Sequence, residues 1–316
     1  MKNSTQTRFI HFGLGLLVLQ GLGFAQPVIP SNYAAPPGSV NTGAPGFKVR
    51  TVQARFDASL ANSLGRTEAQ LAGTLIDPTT GLPYENEADL SLAGPDGYFI
   101  EPDVINYEQD APWGATGGNF HAFSSPPFPD DPIPGIPGIN WHTDNISMEV
   151  LTFLELTAGK HRFGVNSDDG FKLTIGVGTS PQDAFAVNLG QFDGGRGAAD
   201  SQFEFTIEEA GIFPVRLIWE EGRGGASVEF FSMDPPTPEG TRILINDLSN
   251  PNAVRAYREI SGPLQTFTKT VSPAPGSTAV SPFAEIKVEL KDGTAPLDPA
   301  TVRLTFNGAN VSPNVS

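Results

Sequence analysis

The segment VNSDDGFKLTIGV, residues 165–177, sets two adjacent carboxylates and a glycine at the mouth of an alternating apolar run. Asp168 and Asp169 have two chemistries open to them. Asp-Gly between apolar strands is turn chemistry, because both residues tolerate positive φ. The other is divalent-cation binding, since Ca²⁺ takes roughly six to eight oxygens at about 2.4 Å with carboxylates leading. Neighbouring side chains on a regular strand point to opposite faces, so both aspartates reach one ion only where the backbone leaves strand geometry. A turn, a bulge or a non-proline cis peptide does this. A cation would also relieve the repulsion between the pair. Further oxygens must then come from a second loop, and Asp193 in FDGGRG, Asp200, and Glu220 or Glu221 in WEEGRGG are the candidates.

Other chemistries leave no signature. His121, His142 and His161 lack metal-site spacing, and neither HExxH nor GxSxG occurs. The Gly-Lys of TAGKHRFG lacks the glycine loop of a phosphate-binding motif. A glycosidase needs two carboxylates across a cleft, and 35 acidic residues do not single out a pair. Cysteine is absent, which removes thiolate ligands and cysteine nucleophiles. The chain therefore reads as non-enzymatic.

The elements that would position the aspartates are strands. Phe171, Leu173, Ile175 and Val177 alternate, as do Phe185, Val187 and Leu189, then Phe203, Phe205 and Ile207, then Phe213, Val215, Leu217 and Trp219. Turn residues separate these runs at close intervals, which indicates an antiparallel sandwich or barrel. Upstream, FKVRTVQARF reads as a strand. DASLANSLGRTEAQLAG reads as a short helix capped by Asp57 or Ser59. Residues 76–148 are dominated by turn chemistry, with too many prolines at 124–138 for an interior strand. High glycine (35) and proline (29) usage agrees with short strands joined by irregular loops.

The ends differ from the middle. Lys2, Arg8 and the short apolar stretch 13–24 read as a secretory signal cleaved after Ala25. Residues 26–46 are rich in proline, glycine and small polar residues and read as a flexible leader. From Thr270 a new pattern appears, with Ile286, Val288 and Leu290 alternating, then Val302, Leu304 and Phe306, and the hairpin signal Asn307-Gly308. The expected organisation is signal peptide 1–25, linker 26–46, main β domain 47–250, linker 251–269 and a partial immunoglobulin-like domain 270–316. The fold class expected is all-β: an antiparallel β-sandwich or barrel with long loops, plus an incomplete Ig-like β-sandwich. A formal charge of −16 without a basic stripe excludes nucleic acid as a partner, and no segment after the signal suits membrane insertion.

LELTAGKHRFGVNSDDGFKLTIG, followed by AGIFPVRLIWEEGRGGASVEFF, resembles the protective-antigen fourteen-kilodalton (PA-fourteen) domain family. The ordered features are Ala158-Gly159, an aromatic strand into Ser167-Asp168-Asp169-Gly170, a second turn at Ala210-Gly211, then Glu220/Glu221 and Gly224-Gly225-Ala226 before a final strand. The C-terminal piece resembles bacterial immunoglobulin-like surface modules. The family resemblance implies a β-sandwich found in bacterial toxins, glycosidases, adhesins and yeast flocculins. In its lectin-like members the Asp pair, joined by a cis peptide, binds calcium, and the ion helps hold sugar hydroxyls. Those lectins add an asparagine and carbonyls from a later loop, where this chain has EEGRGG. Carried over, the resemblance names Asp168 and Asp169 as metal ligands; of the second-loop candidates above, Glu221 and Asp193 complete the expected set. Asn166, Glu220, Arg223 and Phe192 are the ligand-binding candidates. The function implied is a calcium-assisted carbohydrate-binding module of a secreted or cell-surface bacterial protein, acting on an extracellular glycan or a cell-wall or matrix polysaccharide. The alternatives are a structural or adhesive spacer without ligand, and an accessory region of a glycoside hydrolase.

Overall fold

A computed structural model describes residues 26–111, 114, 117–275, 277–306 and 308–311. The signal stretch lies outside the described residues. In chain order the elements are β1 (Val28–Ile29), β2 (Phe47–Gln53), α1 (Leu64–Leu71), β3 (Phe99–Glu101), β4 (Asn106–Glu108), β5 (Ile146–Leu156), β6 (Gly159–Asp168), β7 (Phe171–Ile175) and β8 (Val187–Phe192). They continue as β9 (Ala199–Ile207), β10 (Gly211–Glu221), β11 (Ser227–Asp234), β12 (Thr241–Leu244), β13 (Ala256–Tyr257), β14 (Phe267–Ser272), β15 (Lys287–Lys291), β16 (Leu304–Phe306) and β17 (Ala309–Val311).

Two sheets carry the fold. The first runs β1-β9-β6-β11-β12, with β4 also on β11; the second runs β3-β2-β5-β10-β7-β8, with β13 also on β5. All these pairings are antiparallel except β1 on β9, which is parallel. The alternation read from the sequence sets the inner faces. Phe163, Val165, Phe205, Val228 and Phe230 from the first sheet meet Val150, Phe171, Leu173, Leu217 and Trp219 from the second in one core. This is the all-β sandwich expected.

The path between the sheets differs from the sequence reading. Asp168-Asp169-Gly170 does not close a hairpin. Asp168 pairs with Ser227 in the first sheet, whereas Phe171 pairs with Trp219 in the second. The same crossing recurs from β5 to β6, β8 to β9, β9 to β10 and β10 to β11. Short polar connections with Gly and Asp serve a corner as well as a hairpin, so local turn chemistry does not distinguish them.

Four other expectations change. Residues 26–46 pack on the sandwich: Ile29 is buried beside β9, and Ala35 and Val40 form a small cluster with Phe153. The 251–269 stretch contributes β13 to the second sheet. The helix begins later than expected, at Leu64, because the Ser63 side chain accepts the Arg66 amide, while Asp57 is taken by Ser59. The C-terminal part forms two hairpins, β14–β15 and β16–β17, the latter turning at Gly308 with φ +78°. An Ig-like sandwich is not formed among the described residues.

Helix α1 lies on the outer face of the second sheet, where Leu64 and Leu71 bury Ile218. On the outer face of the first sheet, Gly164 lets the Phe231 ring lie flat on β6; a Cβ there would stand 2.3 Å from the ring. Phe231 is itself fully buried, with Phe120 against it at 6.4 Å. Gly164→Ala is therefore expected to destabilise the fold by about 1–3 kcal/mol through overpacking. Urea denaturation reads this as a lower midpoint at unchanged slope.

Candidate functional site

The Asp168–Asp169 peptide bond is cis. Neighbouring hydrogen bonds clamp the crossing. Asp169 N–H donates to Glu220 O at 3.0 Å, and Glu220 N–H returns to Gly170 O at 2.9 Å. Trp219 Nε1 donates to Asp168 O at 3.0 Å, and Ser167 Oγ donates to Asp169 O at 2.7 Å. The crossing is thereby fixed to the end of β10.

That end carries the third carboxylate. The inward row Phe213, Val215, Leu217 and Trp219 continues, by the two-residue period, to Glu221. Glu221 is 0 % exposed, and both of its carboxylate oxygens lack a hydrogen-bond partner. Carboxylate oxygens of Asp168, Asp169 and Glu221 lie within 4.8 Å of one another. Burial, then Asp169, Asp168, Asp144 and Glu220, pushes Glu221 up to about 9. Burial and then Asp169 push Asp168 up to about 6.

Asp169 is bonded differently. Its Oδ2 accepts Asn62 Nδ2 at 2.5 Å and Gly222 N–H at 3.0 Å, and its Oδ1 accepts Arg196 N–H at 2.6 Å. One carboxylate thus joins three loops. Gly222 is required there because a Cβ would sit 1.7 Å from Asn62 Oδ1. Gly224, at φ +111°, turns the loop so that its N–H reaches Asp144 Oδ1 at 3.2 Å.

Among the remaining sequence candidates, the structure separates roles. Asp193 does not join the three-carboxylate group; its Oδ1 accepts the Leu64 amide at 2.8 Å, at the start of α1. Free N–H groups at a helix start attract a carboxylate, which is why it turns there. Asp200 is likewise elsewhere, accepting Asn119 and Asn166 at 2.8 and 2.7 Å and pairing with Arg242. Asn166 is buried with that bond. Glu220 faces outward under α1 and is buried against Arg66, so it is not a surface contact. Phe192 is half-buried, with the Arg196 guanidinium 4.3 Å from its ring centroid. Arg223 is exposed on the 222–225 loop.

Sequence reasoning missed Asn62, Arg66, Arg196 and Asp144, whose roles depend on tertiary approach. It also missed Trp141. This residue is 84 % exposed and holds φ +61°, a conformation bulky side chains rarely take. Its loop is fastened beside the acidic group: Asn145 N–H donates to Gly222 O at 2.8 Å, and Asp144 receives Gly224.

The donor set suits a hard divalent cation. Asp144, Asp168, Asp169 and Glu220 all act on Glu221, and the guanidiniums that face this group are those of Arg66, on Glu220, and Arg196, on the aspartate pair. A bare buried carboxylate is costly, and a cation there would supply the missing partner.

Without a cation the sign of the pH dependence follows from Glu221. Its folded value, about 9, stands above the ordinary 4.5. Its contribution to stability is fully present below about 4.5 and is lost as pH rises through about 9. In chelator, the melting temperature is expected to fall from about pH 5 to about pH 9, and Glu221→Gln to flatten the slope. A profile unchanged by that substitution contradicts the assignment.

No family model matches the sequence, and no curated protein does. Solved structures similar to this chain include the PA14 domain of the antifreeze protein MpAFP, at 16% identity and TM-score 0.41, covering 71% of this chain and 95% of that one. They also include the PA14 sugar-binding domain from an RTX adhesin, at 16% identity and TM-score 0.40, covering 68% and 99%. A third is the Epithelial Adhesin 9 A domain from Candida glabrata in complex with Galb1-3GlcNAc, at 14% identity and TM-score 0.38, covering 75% and 98%.

Proposed function

We propose that this chain is a non-catalytic carbohydrate-binding module of an exported protein, and that Ca²⁺ held by Asp168, Asp169 and Glu221 assists the binding. The observation that carries the reading is Glu221, wholly buried with both oxygens unpartnered, set against the aspartate pair. An acid at the inward position of a core strand needs a partner, and a calcium ion is the partner these oxygens fit. The ion would offer open coordination positions to sugar hydroxyls. Arg223 and Trp141, both exposed on the adjoining loops, would form the walls. Trp141 replaces Phe192 as the aromatic available for stacking on a sugar face.

Calorimetric titration with Ca²⁺ tests the metal half. One site is expected, with proton release near neutral pH and affinity that rises with pH, because the ligands bind deprotonated. Glu221→Gln and Asp168→Asn are expected to weaken it at least about tenfold. Heat from no site, or an isotherm indifferent to both substitutions, rejects the metal.

A glycan array run with Ca²⁺ and with chelator tests the sugar half. Retention is expected only with the ion, and Trp141→Ala is expected to lower it about tenfold while leaving the calcium isotherm intact. Calcium binding with no retained glycan would favour the spacer reading. One observation also favours that reading: Asp169 already spends its oxygens joining three loops, a structural task.

A further inference from the structure

A cleft lies on the outer face of the second sheet, away from the aspartate pair. Its volume is about 510 Å³. The floor is a polar row formed by the outward positions Arg50 of β2, Glu149 of β5, Arg216 of β10 and Lys172 of β7. One wall is α1, with Glu68 and Leu71; the other is the β14–β15 hairpin, with Phe267, Lys269 and Lys291. The hairpin is held in place by the 183–185 turn. Asp183 accepts Thr268 N–H at 3.0 Å and Phe185 N–H at 2.8 Å, and Ala184 N–H donates to Thr268 O at 2.7 Å.

The charge of this cleft opposes that of the molecule. In a chain of formal charge −16, five of its nineteen cationic side chains line one opening. Its three carboxylates are already engaged. Glu149 accepts Arg216 Nε at 2.6 Å, Gln182 at 2.9 Å and Tyr98 OH at 2.6 Å, and lies 3.1 Å from Arg50. Glu68 takes both terminal nitrogens of Arg216, at 2.9 and 2.8 Å, and Lys172 at 2.7 Å. Asp183 is filled by the two backbone amides of the turn.

The cations are not equally engaged. Arg216 sets each of its three nitrogens on one of the two glutamates. Arg50 pairs with Glu149 and lies over the Tyr98 ring, 5.6 Å from its centroid, with its Nε buried. Lys172 has one acceptor for three donors. Lys269 meets only the exposed Glu289, at 2.7 Å, and no ion pair of Lys291 occurs among the described residues. Donors therefore remain on both sides of the cleft, from the Lys172 ammonium on the floor and from the Lys269 and Lys291 ammonium groups at the rim. Phe267 and Leu71 add apolar surface between them.

The geometry points to a binding site for an acidic saccharide, the carboxylate of a uronic acid meeting Arg50, Lys172 and the two rim lysines, with the C–H face of the ring against Phe267. The volume accommodates one or two sugar rings. Arg50 and the ammonium groups supply the charge that a carboxylate answers. The site is separate from the proposed calcium site and uses none of its residues, although the choice of a sugar rests on the carbohydrate reading above.

The test is calorimetric titration of the full chain with digalacturonate, with the uncharged disaccharide lactose and with inorganic sulfate, at low and high salt. Digalacturonate is expected to bind, more weakly at high salt, and lactose not to bind in chelator. Lys269→Gln/Lys291→Gln removes only exposed side chains and is expected to weaken digalacturonate about tenfold or more. The Ca²⁺ isotherm of that variant should remain unchanged. Conversely, Asp168→Asn should lose calcium and keep digalacturonate in chelator, so failure of one site is told apart from failure of the other. Binding of sulfate as tight as that of digalacturonate overturns the saccharide assignment. No binding, binding indifferent to the lysine pair, or binding lost in Asp168→Asn overturns the cleft.

Discussion

One carboxylate holds the end of the sandwich together. Asp169 accepts from Asn62, Arg196 and Gly222, residues on three loops that come from three separate parts of the chain. Hydrogen bonds to an ionised acceptor are each worth about 1.5–3 kcal/mol when formed and cost more when one partner is removed from a buried site. The loops gather there because the chain changes sheet at that end. β6 leads into β7, β8 into β9 and β10 into β11 across the core rather than along a hairpin. A sandwich wound this way delivers several loop tips to one rim, and the rim needs a common acceptor to fix them.

The price of that arrangement is burial of like charge. Glu221 ends an inward row of aromatic and aliphatic residues and has no donor of its own. Glu220, on the opposite side of the same strand, pairs through Oε2 with Arg66 from α1, while its Oε1 has no partner. The two neighbours thus differ in their surroundings: Glu220 meets a guanidinium from within the chain, and Glu221 meets no donor. The large apolar core, with Phe163, Phe171, Phe205, Phe213 and Trp219 fully buried, supplies the stability that lets the rim carry such groups.

Much of this was legible before the fold was described. The period-two runs at 171–177, 203–207 and 213–219 mark the inner faces, and extending the last run by one step reaches Glu221. The aspartate pair stands out by adjacency alone. The crossings did not show, because a Gly-Asp connection looks the same whether its strands pair or part. Asp193 was misplaced for a similar reason: its partner, the Leu64 amide, is remote in sequence. The 26–46 stretch, rich in proline and glycine, looked like a leader, yet Val28-Ile29 finds the open edge of β9. Composition reports how stiff a segment is, and says nothing of whether an edge strand awaits it.

Helix α1 touches more than its eight residues suggest. Its first amide rests on Asp193, its Arg66 neutralises Glu220 beside the acidic rim, and its Glu68 and Leu71 form a wall of the cationic cleft. At about 1.5 Å per residue such a helix is a rod of roughly 12 Å. One short strut thus borders both the acidic rim and the cationic cleft, and a substitution that unseats it is felt at each.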